Sequence, residues 1–510
     1  MIQRQTGQFL ARLRLLALVF CSSTASAATI NVGPGDNYSK IEAAQPGDLV
    51  LIAPGTYAFR VYLTARATPA NPIVIEALDP ANPPVWDFGT NLVDNAPGDY
   101  TAGDRARGAW QFSGAQNYCL SGIVFRNCRN ASANCGAIRY YETTSNLFIK
   151  NCLFTLNDNG ITGGTQDSEA TVEFSEFSQN GNTNASASAP THNLYIYGGY
   201  FTMRYCFVHD SVQGQNFHLR CRNATLEYNW FARAANYEGD LMTDDDFSGP
   251  GPFQQTLIMR GNVIVQNAVP GNHSQVIALF NDSELAGLTL SLQALYNTFV
   301  GDGGSSAFVH VSNADGTPMT AQISDNILSG TTVATLIEDT NAASVGGVNN
   351  WQPAGATASP LTNSVQSTSP NFNNPAEEDY RPAAGSACIG AADPSVYGLP
   401  GKEYYLNELT NCLWRPRPSA LDIGALESTT AGSPVGPYDT PPQPQLSLLL
   451  SGGNAFLSWP LFAQDYQLQQ SDFRSPLTWT VSPLSPVTNG TGLTSSVNFG
   501  SSQLFYRLQK

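Results

Sequence analysis

The stretch Leu226-Glu-Tyr-Asn-Trp-Phe231 carries a pattern that returns along the middle of the chain: an apolar residue, two variable residues, an Asn or Cys, then a closing pair that ends on an apolar residue. Further clear copies are Ile149–Phe154, Met203–Val208, Met259–Ile264, Ala294–Phe299 and Ile323–Leu328, and weaker copies are Leu120–Phe125 and Val172–Phe177. Neighbouring copies are 23 to 35 residues apart. A unit this short cannot bury its own apolar face, so successive units must stack. The repeat therefore predicts a solenoid.

Local pattern indicates that each turn of the solenoid is made of strands. Apolar residues alternate with period two, aromatic and β-branched residues are frequent, and Gly, Asn, Asp and Ser interrupt the runs. Short parallel strands in such turns stack at a rung spacing of about 4.8 Å. The recurring Asn suits a corner, because it tolerates left-handed backbone and can hydrogen-bond to the Asn of the next turn. We therefore predict an all-β, right-handed parallel β-helix; a β-propeller, the other repetitive β fold considered, would have more regular blades and no single Asn corner.

The N-terminus and the overall charge bear on location and partners. Arg4, Arg12 and Arg14 precede the apolar run Leu15–Phe20, and Ala25-Ser-Ala27 resembles a cleavage site, so residues 1–27 are predicted to be a signal peptide. Its removal leaves 21 basic residues against 40 acidic ones in a chain whose net charge is already −16. We expect a secreted, soluble monomer, periplasmic or extracellular, that binds no nucleic acid and inserts into no membrane.

The chain divides into three further parts. The β-helix is predicted over residues 28–427, a Pro-, Gly- and Ser-rich linker over 428–445, and a small C-terminal β module over 446–510, whose short alternating strands indicate a sandwich. Cys388 and Cys412 flank a loop-rich segment, and export makes them candidates for a disulfide. Asn157–Gly160 is a candidate Ca²⁺ site, although such a sequence is more typical of a turn.

Several motifs resemble those of the right-handed parallel β-helix proteins of the pectate-lyase-like superfamily. They are Gly47-Asp48, Ala53-Pro-Gly-Thr-Tyr57, the Asn-corner repeats and Asp422–Glu427, and within the superfamily His192-Asn-Leu-Tyr195, Arg220-Cys-Arg222 and Gly261-Asn-Val-Ile264 resemble an exported bacterial group. The resemblance covers residues 29–427. It implies the fold, whereas many members of the group have no assigned reaction and activity does not follow from fold.

A candidate site follows from the spacing of the repeats. Leu194 lies 12 residues before Cys206 and Phe217 lies 12 before Asn229, which places Leu194 over Phe217 in adjacent turns. Period-two alternation then turns one set of side chains outward on three successive turns. The set is Asn193, Tyr195 and Tyr197, then Asn216, His218, Arg220 and Arg222, then Glu238, Asp240, Met242 and Asp244, with the insertion Asp244–Gln255 as a wall.

Cationic side chains and tyrosines on one face of an acidic protein suit an anionic sugar. We assign His218, Arg220, Arg222 and Asp240 as catalytic candidates, with His218 or Arg220 as base and Arg222 as the group that neutralises a uronate carboxylate. Tyr195, Tyr197, Asn193, Glu238 and Asp244 are the substrate-binding candidates. The protein is then a carbohydrate-active polysaccharide lyase or glycoside hydrolase; in the alternative it only binds polysaccharide or is a cell-surface structural protein.

Two features of the sequence oppose the known schemes of the fold. The related alginate and chondroitin lyases usually have Lys-Ser where Arg220-Cys221 stands, and an Arg-His-Gly run where this chain has Met242-Thr-Asp-Asp-Asp246. The pairs His218–Asp240 and Arg222–Asp244 also have a purely structural interpretation, as cross-strand charge pairs. His209, His273 and His310 show no partner in the pattern, which favours structural roles for all three.

Overall fold

The computed structural model describes residues 27–98, 107–185, 190–244, 247, 251–266, 275–281, 287–301, 307–312, 318–330, 336–340, 344–356, 360–405, 412–419, 421–429, 432–472, 478–498 and 504–510. The predicted signal peptide falls almost entirely outside these residues. Within them, no helix has the length and apolar character needed to cross a membrane.

Three stacks of parallel strands form the coil, which confirms the predicted right-handed parallel β-helix. Sheet 1 contains β4 (Val61–Leu63), β7 (Gly108–Ser113), β10 (Gly136–Tyr141), β13 (Asn159–Gly163), the first half of β16 (Leu194–Arg204), the first half of β18 (Phe217–Glu227), β20 (Gly239–Met242), β23 (Gln275–Phe280), β26 (Ala307–Ser312) and β29 (Ile337–Thr340).

Sheet 2 contains β1 (Thr29–Val32), β2 (Leu49–Ile52), β5 (Ile73–Ala77), β8 (Gln116–Ser121), β11 (Ser145–Lys150), β14 (Glu169–Glu173), the second halves of β16 and β18, β21 (Phe253–Arg260), β24 (Leu288–Leu295), β27 (Met319–Ser324), β30 (Ser344–Val348) and β32 (Leu361–Thr362). Because β16 and β18 run through both sheets, the two sheets are continuous at that level.

Sheet 3 contains β3 (Thr56–Tyr57), β6 (Val85–Asp87), β9 (Val124–Arg126), β12 (Leu153–Thr155), β15 (Glu176–Ser178), β17 (Phe207–His209), β19 (Trp230–Ala232), β22 (Val263–Val265), β25 (Thr298–Gly301), β28 (Ile327–Gly330), β31 (Trp351–Pro353) and β33 (Val365–Ser367). The described helices are short: α1 (Ser39–Glu42) and the 3₁₀ turns Val93–Asn95, Pro375–Glu377 and Leu461–Ala463.

The remaining strands are antiparallel. Two hairpins pair β34 (Phe372–Asn374) with β35 (Asp379–Pro382) and β36 (Lys402–Tyr404) with β37 (Trp414–Pro416). The C-terminal sheets are β38 (Ser447–Ser451), β39 (Asn454–Pro460), β43 (Gly492–Asn498) and β42 (Val487–Thr488), and β41 (Thr480–Val481), β40 (Gln467–Asp472) and β44 (Leu504–Gln509). These are the small β module expected at the C-terminus.

The repeated Asn or Cys forms one column inside the coil, as the repeat predicts. Each backbone N–H in the column donates to the side chain one turn further on, at 2.8 to 3.4 Å. The members in order are Cys152, Ser175, Cys206, Asn229, Asn262, Asn297, Asn326 and Asn350. The left-handed residue of each corner, however, is the one before the column, such as Tyr228 at φ 56° and Gly261 at φ 64°. The ladder residues are therefore selected for hydrogen bonding within the column.

The C-terminal module packs on the coil through a shared apolar cluster. Tyr296, Ile327 and Trp351 of the coil lie in one buried cluster with Leu457 and Trp459 of the module. Upstream, Tyr438 of the predicted linker accepts a hydrogen bond from Asn151 Nδ2 at 2.9 Å. The bounds of the linker, 428–445, and of the C-terminal module, 446–510, stay predictions.

Two expectations from the sequence concern a disulfide and a calcium site. Cys388 and Cys412 are both free thiols: Cys388 is buried in the cluster shared with the C-terminal module, and Cys412 is half-buried against a different apolar cluster. In Asn157–Gly160, the Asp158 carboxylate accepts hydrogen bonds from Asn130 N, Cys135 N and Asn182 Nδ2. Since N–H donors occupy the oxygens that Ca²⁺ would need, this segment does not fit a calcium site.

Candidate active site

The strand register of sheet 1 agrees with the predicted alignment. Leu194 pairs with Phe217 and Ile196 with Leu219, and these four side chains are buried inside the coil. The intervening residues form outward columns, in which Tyr195 is followed by His218 and then by Asp240. The inside–outside alternation is therefore in phase with the prediction for the middle of these strands.

His218 and Asp240 form the centre of this face. His218 Nδ1 lies 2.7 Å from Asp240 Oδ1, and the Asp240 side chain is fully buried while 10% of the His218 side chain is exposed. The other oxygen, Asp240 Oδ2, accepts hydrogen bonds from Tyr237 Oη at 2.7 Å and from Gln215 Nε2 at 3.1 Å. Two hydrogen bonds thus fix the carboxylate, and its other oxygen lies at ion-pair distance from the imidazole without an aligned hydrogen bond.

Arg220 contacts the opposite edge of the same imidazole. Its Nε–H donates toward His218 Nε2 over 3.4 Å, and its Nη1 donates to the Thr243 carbonyl oxygen at 2.9 Å. A nitrogen that accepts from a guanidinium carries no proton, so the neutral imidazole has its proton on Nδ1, facing Asp240. This tautomer directs the Nε2 lone pair at the Arg220 Nε–H, so the guanidinium must move aside before Nε2 can accept a proton.

Aromatic rings enclose the histidine on its remaining sides. The His192 ring stacks parallel to His218 at 4.7 Å, and the Tyr195 ring meets His218 at 4.8 Å and 62°. Burial, followed by the charge of His218, holds the pKa of His192 well below its ordinary value. Burial raises the pKa of Tyr195, against the lowering effect of the Arg220 charge. Tyr197 pairs with Arg220 in register and is half-buried.

Arg222 does not join this group. It lies four residues beyond His218 on β18, roughly 13 Å along an extended strand, where sheet 1 passes into sheet 2. Its guanidinium carbon is 5.6 Å from the centre of the Phe247 ring, and it lines a cavity of about 480 Å³ with Asn223 and Phe253. The structure therefore brings Arg220, and not Arg222, next to the imidazole.

Asn193 and Glu238 point inward, against the expected outward orientation. Both are fully buried members of a second internal ladder that runs from Asn157 through Asn180, Asn193 and Asn216 to Glu238. Each lies just before its strand, where the chain turns the corner, so the period-two rule of the strand does not extend to it. Burial raises the pKa of Glu238 to about 8, against hydrogen bonds from Ala234 N and Asn216 Nδ2.

Asp244 is also buried, although it was expected on the surface. Its Oδ2 accepts the Gly198 N–H at 3.0 Å, and its own N–H donates to Gln255 Oε1 at 3.0 Å. The carboxylate thus connects the turn of β20 to that of β16, two turns earlier in the coil. Of the predicted wall Asp244–Gln255, residues 245, 246 and 248–250 lie outside the described residues.

Sequence reasoning missed three residues of the site: Tyr237, Gln215 and His192. Each lies in the segment before a strand, where alternation gives no orientation. A signal was nevertheless present, because each of them lies three residues before an assigned site residue: Gln215 before His218, Tyr237 before Asp240 and His192 before Tyr195. No set of three His, Cys, Asp or Glu side chains in the described part of the chain is arranged to hold a metal ion.

No family model matches the chain, and no curated protein matches its sequence. Among solved structures it is similar to the pectate lyase Pel9A, with 16% identity over 79% of this chain and 97% of the other, and a TM-score of 0.45. An alginate lyase from Paenibacillus sp. str. FPU-7 has 13% identity over 62% and 99% of the two chains, with a TM-score of 0.41. The complex of XylC with xylose has 7% identity over 94% and 100%, with a TM-score of 0.42.

These likenesses concern the fold. The three stacked parallel sheets and the internal Asn column, taken with the sequence motifs, define the architecture independently of any one neighbour. The chain is a right-handed parallel β-helix protein.

Proposed function

We propose that the protein is an exported polysaccharide lyase that acts on a uronate-containing polysaccharide, with His218 as the base. The single observation that carries the proposal is the oriented imidazole: Asp240 on one edge and Arg220 on the other. Pectate and alginate lyases among the structures of similar fold are compatible with it, although so distant a likeness does not define an activity.

The elimination would use groups of the site after one adjustment, in which the uronate carboxylate draws the Arg220 guanidinium away from His218 Nε2. His218 Nε2 then takes the C5 proton of the uronate, the C5–H electron pair forms the C4=C5 double bond, and the C4–O4 bond breaks. Arg220, beside the base, faces the carboxylate whose negative charge spreads during proton removal. Tyr195, whose ring contacts His218, is positioned to protonate the leaving O4.

Hydrolysis is less well supported by the acids of the site. Glycoside hydrolysis uses two carboxyl groups that flank the scissile bond. Asp240, Asp244 and Glu238 are each buried and hydrogen-bonded to Tyr237, Gly198 N and Asn216 respectively. Because they are buried, the carboxylates of these three residues are not accessible to a sugar on the surface of the coil.

The alternative is a protein that binds the polysaccharide without cleaving it. The half-buried Tyr195, Tyr197 and Arg220 would serve that role equally well. Catalysis is favoured by the hydrogen bonds that Asp240 Oδ2 accepts from Tyr237 and Gln215. A histidine that only binds sugar needs no buried carboxylate held in this way.

A substrate screen tests the proposal. The mature protein is incubated with polymers of different uronates, and ultraviolet absorbance of the unsaturated product and new reducing ends are both followed. Absorbance with reducing ends supports elimination, and reducing ends without absorbance indicate hydrolysis. Binding in a gel-retardation assay with neither signal would refute catalysis.

A further inference from the structure

Sheet 1 carries a second histidine–carboxylate pair, downstream of the first. His310 Nδ1 lies 2.9 Å from Glu338 Oε2, with 17% of the histidine side chain and 41% of the glutamate side chain exposed. His310 has no partner in the local sequence pattern, because Glu338 follows it by 28 residues, one turn of the coil. The pair lies outside the group formed by His218, Asp240 and Arg220.

Strand register places the two pairs in one outward column. His218 is followed by Asp240, then Ala278, His310 and Glu338, each on the next strand of sheet 1. Three strand spacings separate His218 from His310, which is roughly 14 Å. A glycan lying along the coil axis over His218 would therefore extend over His310 after a few sugar units.

Phe280 places an aromatic ring between the two pairs. Ala278, which separates the pairs in the column, is fully buried, and Phe280, two residues further on the same strand, is half-buried. The Phe280 ring is 5.5 Å from His310 and 6.0 Å from Tyr237, the residue that holds Asp240. The apolar face of a pyranose stacks on such a ring, so Phe280 links the two ends of the column.

The two ends differ in charge. At the first pair the carboxylate is buried and a guanidinium lies beside the imidazole; at the second the carboxylate is exposed. An exposed carboxylate accepts hydrogen bonds from sugar hydroxyls but repels another carboxylate. The near end therefore suits a uronate, whereas the far end disfavours one.

We propose that Phe280, His310 and Glu338 form a subsite for a neutral sugar, so that the substrate is a mixed polymer of uronate and neutral sugars rather than a polyuronate. Phe280 stacks on the ring, and Glu338 with His310 binds its hydroxyls. The inference rests on the proposed function, since the same groove is used.

Calorimetric titration of a His218→Asn variant, which prevents turnover, tests the inference. The probes are two oligosaccharide series of equal length, one of uronate only and one alternating uronate with neutral hexose. We expect tighter binding of the alternating series once the chain is long enough to reach His310. Phe280→Ala should weaken that binding about tenfold and leave the shortest oligosaccharides unaffected.

Glu338→Gln provides the sharper test. Removing the charge should improve binding of the uronate-only series several-fold, while Glu169→Gln, an exposed glutamate on sheet 2, should change neither series. The parent in these titrations is the His218→Asn variant, into which the Phe280 and Glu338 changes are introduced. If this parent binds both series equally, and neither added change alters that binding, the subsite is overturned and the proposed function stands. Failure of the parent to bind any uronate oligosaccharide would overturn both.

Discussion

Two outward columns of charged residues run along the coil, one on sheet 1 and one on sheet 2, and their side chains make different kinds of contact. On sheet 2 the column reads Lys150, Glu173, Arg204, Glu227 and Arg260, one residue from each successive turn. Arg204 lies 3.0 Å from Glu227 and 3.6 Å from Glu173, and Arg260 also contacts Glu227. Charges alternate, and the four ions from Glu173 to Arg260 each have a partner above or below, whereas Lys150 Nζ donates to the Pro437 carbonyl oxygen at 3.1 Å.

C-terminal segments cover the sheet 2 column. Lys402 Nζ lies 5.9 Å from the ring of Tyr205, the residue next to Arg204, and Gln464 donates to Tyr228 Oη at 3.3 Å. Burial alone would raise the pKa of Glu227, but the charges of Arg260 and Arg204 bring it below its ordinary value. This column is a structural ladder that receives the C-terminal module.

On sheet 1 the outward column has a different composition, with an imidazole at its centre. Asp240 is fully buried, and Arg220 donates to the Thr243 carbonyl oxygen and toward the His218 imidazole. Repeated charge on a solenoid is therefore a poor indicator of a site by itself. An imidazole held on both edges is the better indicator.

The largest expected effect is on turnover by a His218→Asn variant. Asparagine keeps a polar side chain beside Asp240 but has no base of suitable pKa, so the rate of unsaturated-product formation should fall by about 10²–10⁴-fold. The measurement is kcat on the polymer that the screen identifies. Tyr200→Phe, at an exposed position on β16, is the control and should retain full activity. Activity of the His218 variant within a few-fold of the parent would remove His218 from the chemistry.

Next in size is a contrast between two arginines, one from each column. Arg220→Ala should weaken binding of a uronate oligosaccharide by about 2–5 kcal/mol, because a desolvated charge partner is lost, with little change in melting temperature. Arg260→Ala should leave binding unchanged but destabilise the fold by about 2 kcal/mol, since it removes a partner of Glu227 in a partly buried pair. Calorimetry and thermal unfolding on the same samples measure both. The reverse pattern would make the sheet 1 column the structural one.

Sequence reasoning reaches the coil and half of the site, for identifiable reasons. The Asn262 and Asn297 repeat predicts the internal column, and alternation within β16 and β18 places Tyr195, His218 and Arg220 outward. It fails at Asn193 and Glu238, where the chain turns a corner and the alternation rule does not hold. It also misses Tyr237, because a contact three residues away depends on the shape of the turn and not on a period.

A third prediction concerns the internal column, where Asn262→Ala should cost about 3 kcal/mol of unfolding free energy. Asn262 Nδ2 donates to the Leu226 carbonyl oxygen, and Oδ1 accepts from Asn229 N and Nδ2, all inside the coil. Each unsatisfied buried group costs about 1–3 kcal/mol. Denaturant unfolding measures the loss, and Asn223→Ala, at an exposed position of β18, should stay within about 0.5 kcal/mol of the parent. Equal losses would mean that the column adds nothing specific.

The smallest effect is a pH dependence that originates at Glu238, the end of the second ladder. Because its pKa is raised from 4.5 to about 8, the folded state keeps a proton that the unfolded state loses above pH 4.5. The stabilisation is thus complete below pH 4.5 and disappears as pH rises toward 8, at about 1.4 kcal/mol per pH unit. Glu238→Gln, which stays uncharged, should remove this slope, so its melting temperature relative to the parent should rise by about 2 °C between pH 5 and pH 7. Scanning calorimetry of both proteins across this range cancels the other titrating groups. A constant difference between the two profiles would show that Glu238 is ionised in the fold, with the hydrogen bonds from Ala234 N and Asn216 outweighing its burial.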